Sequence, residues 1–171
     1  MRTCKPFRLA SCVLWASLQI TALPVPPFLQ TDDWKSKLTS EERSAVSKPD
    51  SPNDRIKTYV RLTESRLRTA RDHATREDYV AVDEEIKAYF ALISDAGQFT
   101  KASVPKRDKA HKTLETSLRD QLRTLESLQR EVTVSHVELI QKTIKLANQI
   151  RRQSINLLLG DEGILSEKEP L

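Results

Sequence analysis

The sequence is poor in glycine, cysteine and aromatic residues. Its 171 residues include three glycines and two cysteines, and only 5% are aromatic. Three glycines can hardly supply a phosphate-binding loop or the tight turns of a β-rich fold, and no G-x-S-x-G, Walker or dinucleotide-binding motif is present. With 30% charged residues, the composition favours long, solvated helices.

A long hydrophobic run is also missing. The most apolar stretch, residues 9–22, has 14 residues, whereas a membrane-spanning helix needs about 20. Arg2, Lys5 and Arg8 precede it and three prolines follow it, which is typical of a cleaved export signal. We therefore predict a signal peptide over residues 1–22 and a periplasmic or extracellular location; a retained inner-membrane signal anchor is the alternative.

Removal of this segment would change the composition of the mature chain. Cys4 and Cys12 both lie within it, so no thiol would remain for a disulfide, a metal or catalysis. Three basic residues and no acidic residue would also be lost, which lowers the formal net charge from +4 to +1. The basic character belongs mostly to the signal, and nucleic acid is not an expected partner.

Residues 23–51 have the composition of a flexible leader ahead of a helical domain. Thr39 and Glu42 have the spacing of a capping box, which predicts one short helix in this leader. Trp34 and Leu38 are its main apolar residues. Docking on the domain and disorder both remain open for this segment.

The domain is predicted over residues 52–159, where apolar residues recur at steps of three and four and indicate amphipathic helices. Helix A begins at the cap Ser51. Helix B begins near Thr75, which with Asp78 resembles a capping pair, and stops at Gly97. The stripe residues are Ile56, Tyr59, Val60, Thr63, Leu67, Ala70 and Ala74 in helix A, and Tyr79, Val82, Ile86, Tyr89, Phe90 and Ile93 in helix B.

Helices C and D follow, and a charged, mobile tail is expected over residues 160–171. Ser135 and Glu138 resemble a capping box, which predicts the start of helix D, and Gly160 ends it. The β-branched run 132–134 disfavours helix, so we expect a turn between C and D. The stripe residues are Leu114, Leu118, Leu122, Leu125, Leu128 and Val132 in helix C, and Val137, Ile140, Ile144, Ala147, Ile150 and Leu158 in helix D.

These patterns predict an all-α fold, an antiparallel bundle of about four amphipathic helices. The alternative is a long coiled-coil hairpin in which helices C and D merge over residues 105–159. Such a helix would span about 80 Å at a rise of 1.5 Å per residue. The two architectures differ in whether the chain turns at 132–134.

No residues in the sequence have the spacing of a metal or catalytic site. His73, His111 and His136 lie on or beside three different helical segments, and only Asp108 and His111 have a spacing that puts a carboxylate and an imidazole on one helix face. We interpret that pair as exposed polar residues at the solvated start of helix C, and no metal or cofactor is predicted. An acidic cluster is interpreted as a helix N-terminus and a solvated face, not as catalytic carboxylates. Its members are Glu77, Asp78, Asp83, Glu84 and Glu85.

A basic connection separates helices B and C. Its residues are candidate contacts for an anionic lipid or cell-wall polymer, and a solvated loop is the alternative interpretation. Aromatic residues that would stack on nucleic-acid bases are not interleaved with them. The candidates are Lys101, Lys106, Arg107, Lys109 and Lys112.

Two sequence resemblances accompany this pattern. The export signal, the segment D-R-I-K-T-Y at residues 54–59 and the run of amphipathic helices resemble small uncharacterised exported bacterial helical-bundle proteins, a resemblance that carries no activity. The segment L-T-S-E-E at residues 38–42 is similar to the Leu-Thr-x-x-Gln element of periplasmic stress chaperones of the Spy type. Glu42 stands in place of the glutamine, and a second copy is not seen.

The sequence therefore predicts an exported, non-enzymatic helical protein that binds a protein or envelope partner. A homo-oligomer is open, because an apolar stripe can face its own core or a second subunit. A holdase-type periplasmic chaperone is the alternative function, and a metal-dependent enzyme is the third and least favoured. No catalytic, cofactor-binding or metal-binding residue is assigned, and no transmembrane segment is expected in the mature form.

Overall fold

The computed structural model describes residues 38–106 and 108–160, and the described residues form α-helices without strands. The helices pack against one another, so the predicted all-α bundle is confirmed. They are α1 (Ser40–Ser47), α2 (Pro52–Thr75), α3 (Tyr79–Ser103), α4 (Lys109–Glu131) and α5 (Val134–Leu159). The predicted signal with Cys4 and Cys12, Trp34, Arg107 and the predicted tail beyond Gly160 lie outside the described residues.

Two helical hairpins, α2–α3 and α4–α5, make up most of the bundle. Besides the contacts within each hairpin, α2 packs against α4 and α3 packs against α5. The Thr113 hydroxyl donates to Asn53 Oδ1 at 3.1 Å near the starts of α4 and α2, so these neighbours run parallel. His136 Nδ1 and Asp83 Oδ2 lie 2.8 Å apart near the starts of α5 and α3.

The two ends of the bundle therefore hold different helix termini. One end, called the α3–α4 end below, gathers the starts of α2 and α4 and the ends of α3 and α5. The opposite end, called the α4–α5 end, gathers the ends of α2 and α4 and the starts of α3 and α5. This arrangement decides which loops and helix termini can act together.

The apolar stripes of the helices meet in one core. Among the large side chains that are fully buried are Tyr59 on α2, Ile86 on α3, Leu118 on α4 and Ile140 on α5. Burial of one such side chain contributes about 1.5–3 kcal/mol to stability. Within the described ranges, no helix is both long and apolar enough to cross a membrane.

The short helix α1 packs on α2. Thr39 Oγ1 accepts a hydrogen bond from the Glu42 N–H at 3.1 Å, and Glu42 Oε2 accepts one from the Thr39 N–H at 2.9 Å, so the predicted capping box is present. Leu38 and Val46 are each only 4% exposed and belong to the core. Apolar burial therefore holds this segment on the bundle.

The starts of α2 and α3 differ in how well the sequence predicts them. α2 begins as predicted, because Ser51 Oγ accepts a hydrogen bond from the Asp54 N–H at 3.1 Å. The predicted start of α3 near Thr75 is wrong, since Thr75 is the last residue of α2. Asp78 is the N-cap of α3, and its Oδ1 accepts a hydrogen bond from the Ala81 N–H at 3.2 Å.

Gly97 does not end α3 as predicted, because the helix continues to Ser103. A Cβ atom at position 97 would lie 2.9 Å from Ile150 Cγ1, so the missing side chain lets α3 approach α5 closely. Gly160, by contrast, ends α5 as predicted, in the left-handed conformation at φ 77°.

The chain turns between α4 and α5, so the merged coiled-coil helix does not form. α4 ends at Glu131 and α5 begins at Val134, where the β-branched run predicted a break. The predicted capping box of Ser135 and Glu138 is wrong. Thr133 is the N-cap, but its side chain accepts no hydrogen bond from a backbone N–H, and Ser135 already lies in the first turn of α5.

Candidate binding surfaces on the bundle

A polar network is buried where α2, α3 and α4 meet. Gln121 Nε2 donates to Thr63 Oγ1 at 3.0 Å and to Ser117 Oγ at 2.8 Å, and Gln121 Oε1 accepts from the Tyr89 hydroxyl at 2.9 Å. Both amide hydrogens of Gln121 and its amide oxygen therefore have partners. Complete burial raises the pKa of the Tyr89 hydroxyl above its ordinary value. The network holds the Gln121 side chain in one orientation.

A groove of about 390 Å³ lies between the parallel helices α2 and α4, with Gln121 in its wall. Its lining is polar apart from Leu67 and the stems of longer side chains. α2 contributes Glu64, Leu67, Arg68, Arg71, Asp72 and Thr75, and α4 contributes Asp120, Gln121 and Thr124. The groove therefore offers charges of both signs and two hydroxyl groups.

Most charged side chains of this groove have no partner within the described residues. Asp120 is the exception, since its Oδ1 lies 3.7 Å from Arg123 Nη1 in an exposed pair. The charged side chains without a hydrogen bond or ion pair to another described residue are those of Glu64, Arg68, Arg71 and Asp72. The fold therefore leaves these charges to solvent or to a bound molecule.

Other charges on α2 are used inside the protein. Arg66 pairs with Glu42 of α1 at 2.7 Å and with Glu85 of α3 at 3.0 Å. Burial disfavours the charged guanidinium, but its hydrogen bonds to Glu85 and Glu42 outweigh this and raise the pKa of Arg66. The Tyr59 hydroxyl donates to Asp95, and burial together with this carboxylate raises the pKa of Tyr59. These groups join α2 to its neighbours.

The predicted anion-contact residues lie together at the α3–α4 end, as far as the structure describes them. Lys101 is in the last turn of α3, Lys106 is in the connection, and Lys109 and Lys112 are in the first turns of α4. All four are exposed, and Arg107 lies outside the described residues. The α3–α4 end is therefore a basic surface.

The carboxylate of Asp54, in the first turn of α2, lies near this basic surface and interacts with the charge of Lys109. A hydrogen bond with Ser51, then a hydrogen bond and charge interaction with Lys57, and to a smaller extent the charge of Lys109, hold the pKa of Asp54 below its ordinary value. Asp54 thus stays ionised and partly offsets the lysines.

His111 is not the exposed residue that the sequence predicts. Its side chain is fully buried, with Nε2 3.0 Å from the Pro105 carbonyl oxygen and Nδ1 without a partner. Because a carbonyl can only accept, Nε2 carries the hydrogen. Asp108 serves instead as the N-cap of α4 and accepts from the Ala110 N–H at 2.7 Å. Among the described residues, no three possible ligands are grouped for a metal.

The predicted acidic cluster divides between solvent and helix contacts. Asp78 caps α3 and Glu84 is exposed, in agreement with the interpretation. Asp83 and Glu85 are half-buried and reach other helices, so a solvated face is the wrong description for these two. Asp83 bonds to His136 on α5, and its other carboxylate oxygen is buried without a partner.

Two exposed valines lie at the α4–α5 end. Val80 is 74% exposed at the start of α3, and Val134 is 90% exposed at the start of α5. Tyr79 and His136, close to these valines in the sequence, have ring centroids 5.6 Å apart. Both valines are at the opposite end of the bundle from the lysines.

The groove escapes prediction because its residues come from helices far apart in the sequence. One local signal exists, since Ser117 and Gln121 put polar side chains four residues apart beside the leucine stripe of α4. Such a pair predicts a polar contact with another helix. It does not predict which helix faces it.

Comparison with known proteins finds no family model, curated protein or solved structure that matches this chain. Its function must therefore be inferred from its own residues and their geometry.

Proposed function

We propose that this chain is an exported, non-enzymatic helical module that binds an anionic partner of the cell envelope through its basic α3–α4 end. The observation that carries the proposal is the grouping of four exposed lysines at that end. They are Lys101, Lys106, Lys109 and Lys112. The signal predicted over residues 1–22 supports an envelope partner, because export brings a chain to anionic lipids and cell-wall polymers.

The expected affinity is modest. Each lysine near an anionic surface contributes about 1 kcal/mol, so four contribute roughly 4 kcal/mol before the opposing charges of Asp54 and Asp108 are counted. A free energy of that size corresponds to a dissociation constant of about 1 mM. The attraction falls off over about 8–10 Å at physiological ionic strength. We expect reversible binding that depends strongly on salt.

Sedimentation with lipid vesicles tests this proposal. The full chain should bind vesicles that contain phosphatidylglycerol, should bind neutral phosphatidylcholine vesicles less, and should be released at about 1 M salt, where the Debye length is about 3 Å. The variant with Lys101→Gln, Lys109→Gln and Lys112→Gln should bind the anionic vesicles roughly 100-fold more weakly, at about 1 kcal/mol per lysine.

The matched control removes three exposed basic residues from elsewhere in the bundle, with Arg76→Gln, Arg130→Gln and Lys145→Gln. It should retain most of the binding. Both variants keep residues 1–22, so any binding by that segment is common to them. Equal losses in the two variants, or no preference for anionic vesicles, would contradict the proposal and leave a protein partner as the better explanation.

A holdase-type chaperone is a second proposal, favoured by the exposed valines of the α4–α5 end. Exposed apolar side chains can contact unfolded clients. The chain should then suppress aggregation of a heat-denatured client at near-stoichiometric amounts, and Val80→Ser with Val134→Ser should weaken the suppression. Leu159→Ser, at an exposed leucine of the other end, is the control. No suppression across several clients would exclude this function.

A further inference from the structure

We propose that the groove between α2 and α4 is a second binding site, which takes a small zwitterion of the size of an amino acid or a dipeptide. This site is lined by residues 64–75 of α2 and 120–124 of α4, away from the basic α3–α4 end. It therefore does not rest on the function proposed for that end.

The anionic group of the ligand would bind to Arg68 and Arg71. Residues three apart on a helix are neighbours, with Cβ atoms about 5–6 Å apart, so both guanidinium groups can reach one carboxylate. Planar guanidinium groups donate paired hydrogen bonds to carboxylates. Neither arginine forms an ion pair with a described residue, so a ligand would not have to break one.

The cationic group of the ligand would bind to the carboxylates that share the groove. Asp120 lines it from α4, while Glu64 and Asp72 line it from α2. The pair between Asp120 and Arg123 is long, at 3.7 Å, and both side chains are well exposed, so it is easily exchanged. A ligand with only one charge would leave part of this lining unmatched.

The size and the wall of the groove also fit a small polar ligand. Its volume of about 390 Å³ has room for a ligand of this size, although the groove is more open and more polar than most small-molecule sites. Gln121 has its amide hydrogens bonded to Thr63 and Ser117, so this part of the wall is already ordered. Thr75 and Thr124 provide hydroxyl groups for further hydrogen bonds. Since the groove is open and Leu67 is its apolar lining residue, the affinity should be low, with a dissociation constant of about 1 mM.

Titration of the isotopically labelled full chain with dialanine, followed by amide chemical shifts in nuclear magnetic resonance spectra, tests the site. Dialanine should cause saturable shifts at residues 64–75 and 120–124. N-acetyl-dialanine, which lacks the ammonium group, and dialanine amide, which lacks the carboxylate, should each bind at least about tenfold more weakly, the equivalent of one charge-assisted contact.

Two substitutions assign the two ends of the ligand. Arg71→Gln should weaken the binding of dialanine and reduce its advantage over dialanine amide, because only Arg68 then remains for the carboxylate. Asp120→Asn should reduce its advantage over N-acetyl-dialanine, because Glu64 and Asp72 then remain for the ammonium group. Arg152→Gln, at an exposed arginine of α5, a helix that does not line the groove, should change neither preference. An unchanged dispersion of amide signals establishes that each variant is folded.

Three results would overturn the proposal. They are the absence of saturable shifts in the groove, equal binding of dialanine and its blocked forms, and binding that both groove substitutions leave unchanged. None of these results bears on vesicle binding by the α3–α4 end, so each proposal can fail without the other.

Discussion

The close contact between Gly97 and Ile150 gives a prediction whose sign separates two physical effects. Inside a helix, alanine is favoured over glycine by about 1 kcal/mol, so Gly97→Ala would stabilise the protein if helix propensity alone acted. The added Cβ, however, would lie 2.9 Å from Ile150 Cγ1, 3.0 Å from Cδ1 and 3.3 Å from Cγ2. Because of this overlap between α3 and α5, we expect Gly97→Ala to destabilise the protein.

The magnitude follows from the surroundings of Ile150. This β-branched side chain is only 4% exposed, so it cannot rotate into solvent to relieve the overlap. Overpacking of a core typically costs about 1–3 kcal/mol. After the gain in helix propensity is subtracted, Gly97→Ala should lower the free energy of unfolding by roughly 1 kcal/mol.

Urea unfolding, followed by far-ultraviolet circular dichroism, measures this difference. Gln98→Ala compared with Gln98→Gly gives the propensity alone, because Gln98 is exposed in the same turn of α3. Ile150→Ala by itself should cost about 2–5 kcal/mol, and less than that in the Gly97→Ala background, where the new methyl fills part of the space. If Gly97→Ala stabilised the protein as much as alanine does over glycine at position 98, the reasoning would be refuted.

Three further predictions concern Tyr89 and Arg66. Tyr89→Phe leaves the amide oxygen of the buried glutamine without its donor and should cost about 1–3 kcal/mol, whereas Tyr79→Phe, at a half-buried position, should cost less. Because burial raises the folded-state pKa of Tyr89 above the value of 10.0 taken for the unfolded state, its contribution to stability is complete below pH 10 and declines as the pH rises further. Tyr89→Phe should reduce this alkaline decline in urea unfolding, and equal declines in the two chains would contradict the assignment. Arg66→Gln leaves two carboxylates without their cation and should destabilise the protein by about 1–3 kcal/mol, while Arg68→Gln should change stability by less than about 0.5 kcal/mol. Equal effects of the two arginine substitutions would count against this distinction.

The core could be predicted from the sequence because helical periodicity is a local property. Ile56, Ile86, Leu118 and Ile140 all belong to the predicted stripes and are fully buried. The role of Gly97 could not be predicted in the same way. A missing Cβ serves equally well to end a helix or to admit a neighbouring one, and the choice depends on a residue more than fifty positions away.

The two candidate surfaces differ for the same reason. The lysines of the α3–α4 end are close in sequence, so a pattern of basic residues was enough to identify them. Arg71 and Asp120 line one groove because α2 packs beside α4. His111 shows the reverse case, since its basic sequence neighbours suggested exposure while its bond to the Pro105 carbonyl lies inside the bundle.

Charged residues on α2 thus divide into those that the fold uses and those that it leaves free. Arg66 is half-buried, and its guanidinium group forms ion pairs with Glu42 and Glu85 within the protein. Arg68 and Arg71 lie on the exposed side of the same helix without a described partner, so their full charge is available to a ligand. An exposed, unpaired arginine adds little to stability. Substitutions of Arg68 and Arg71 can therefore test binding without unfolding the bundle. A substitution of Arg66 that reduced binding would instead reflect destabilisation of the bundle.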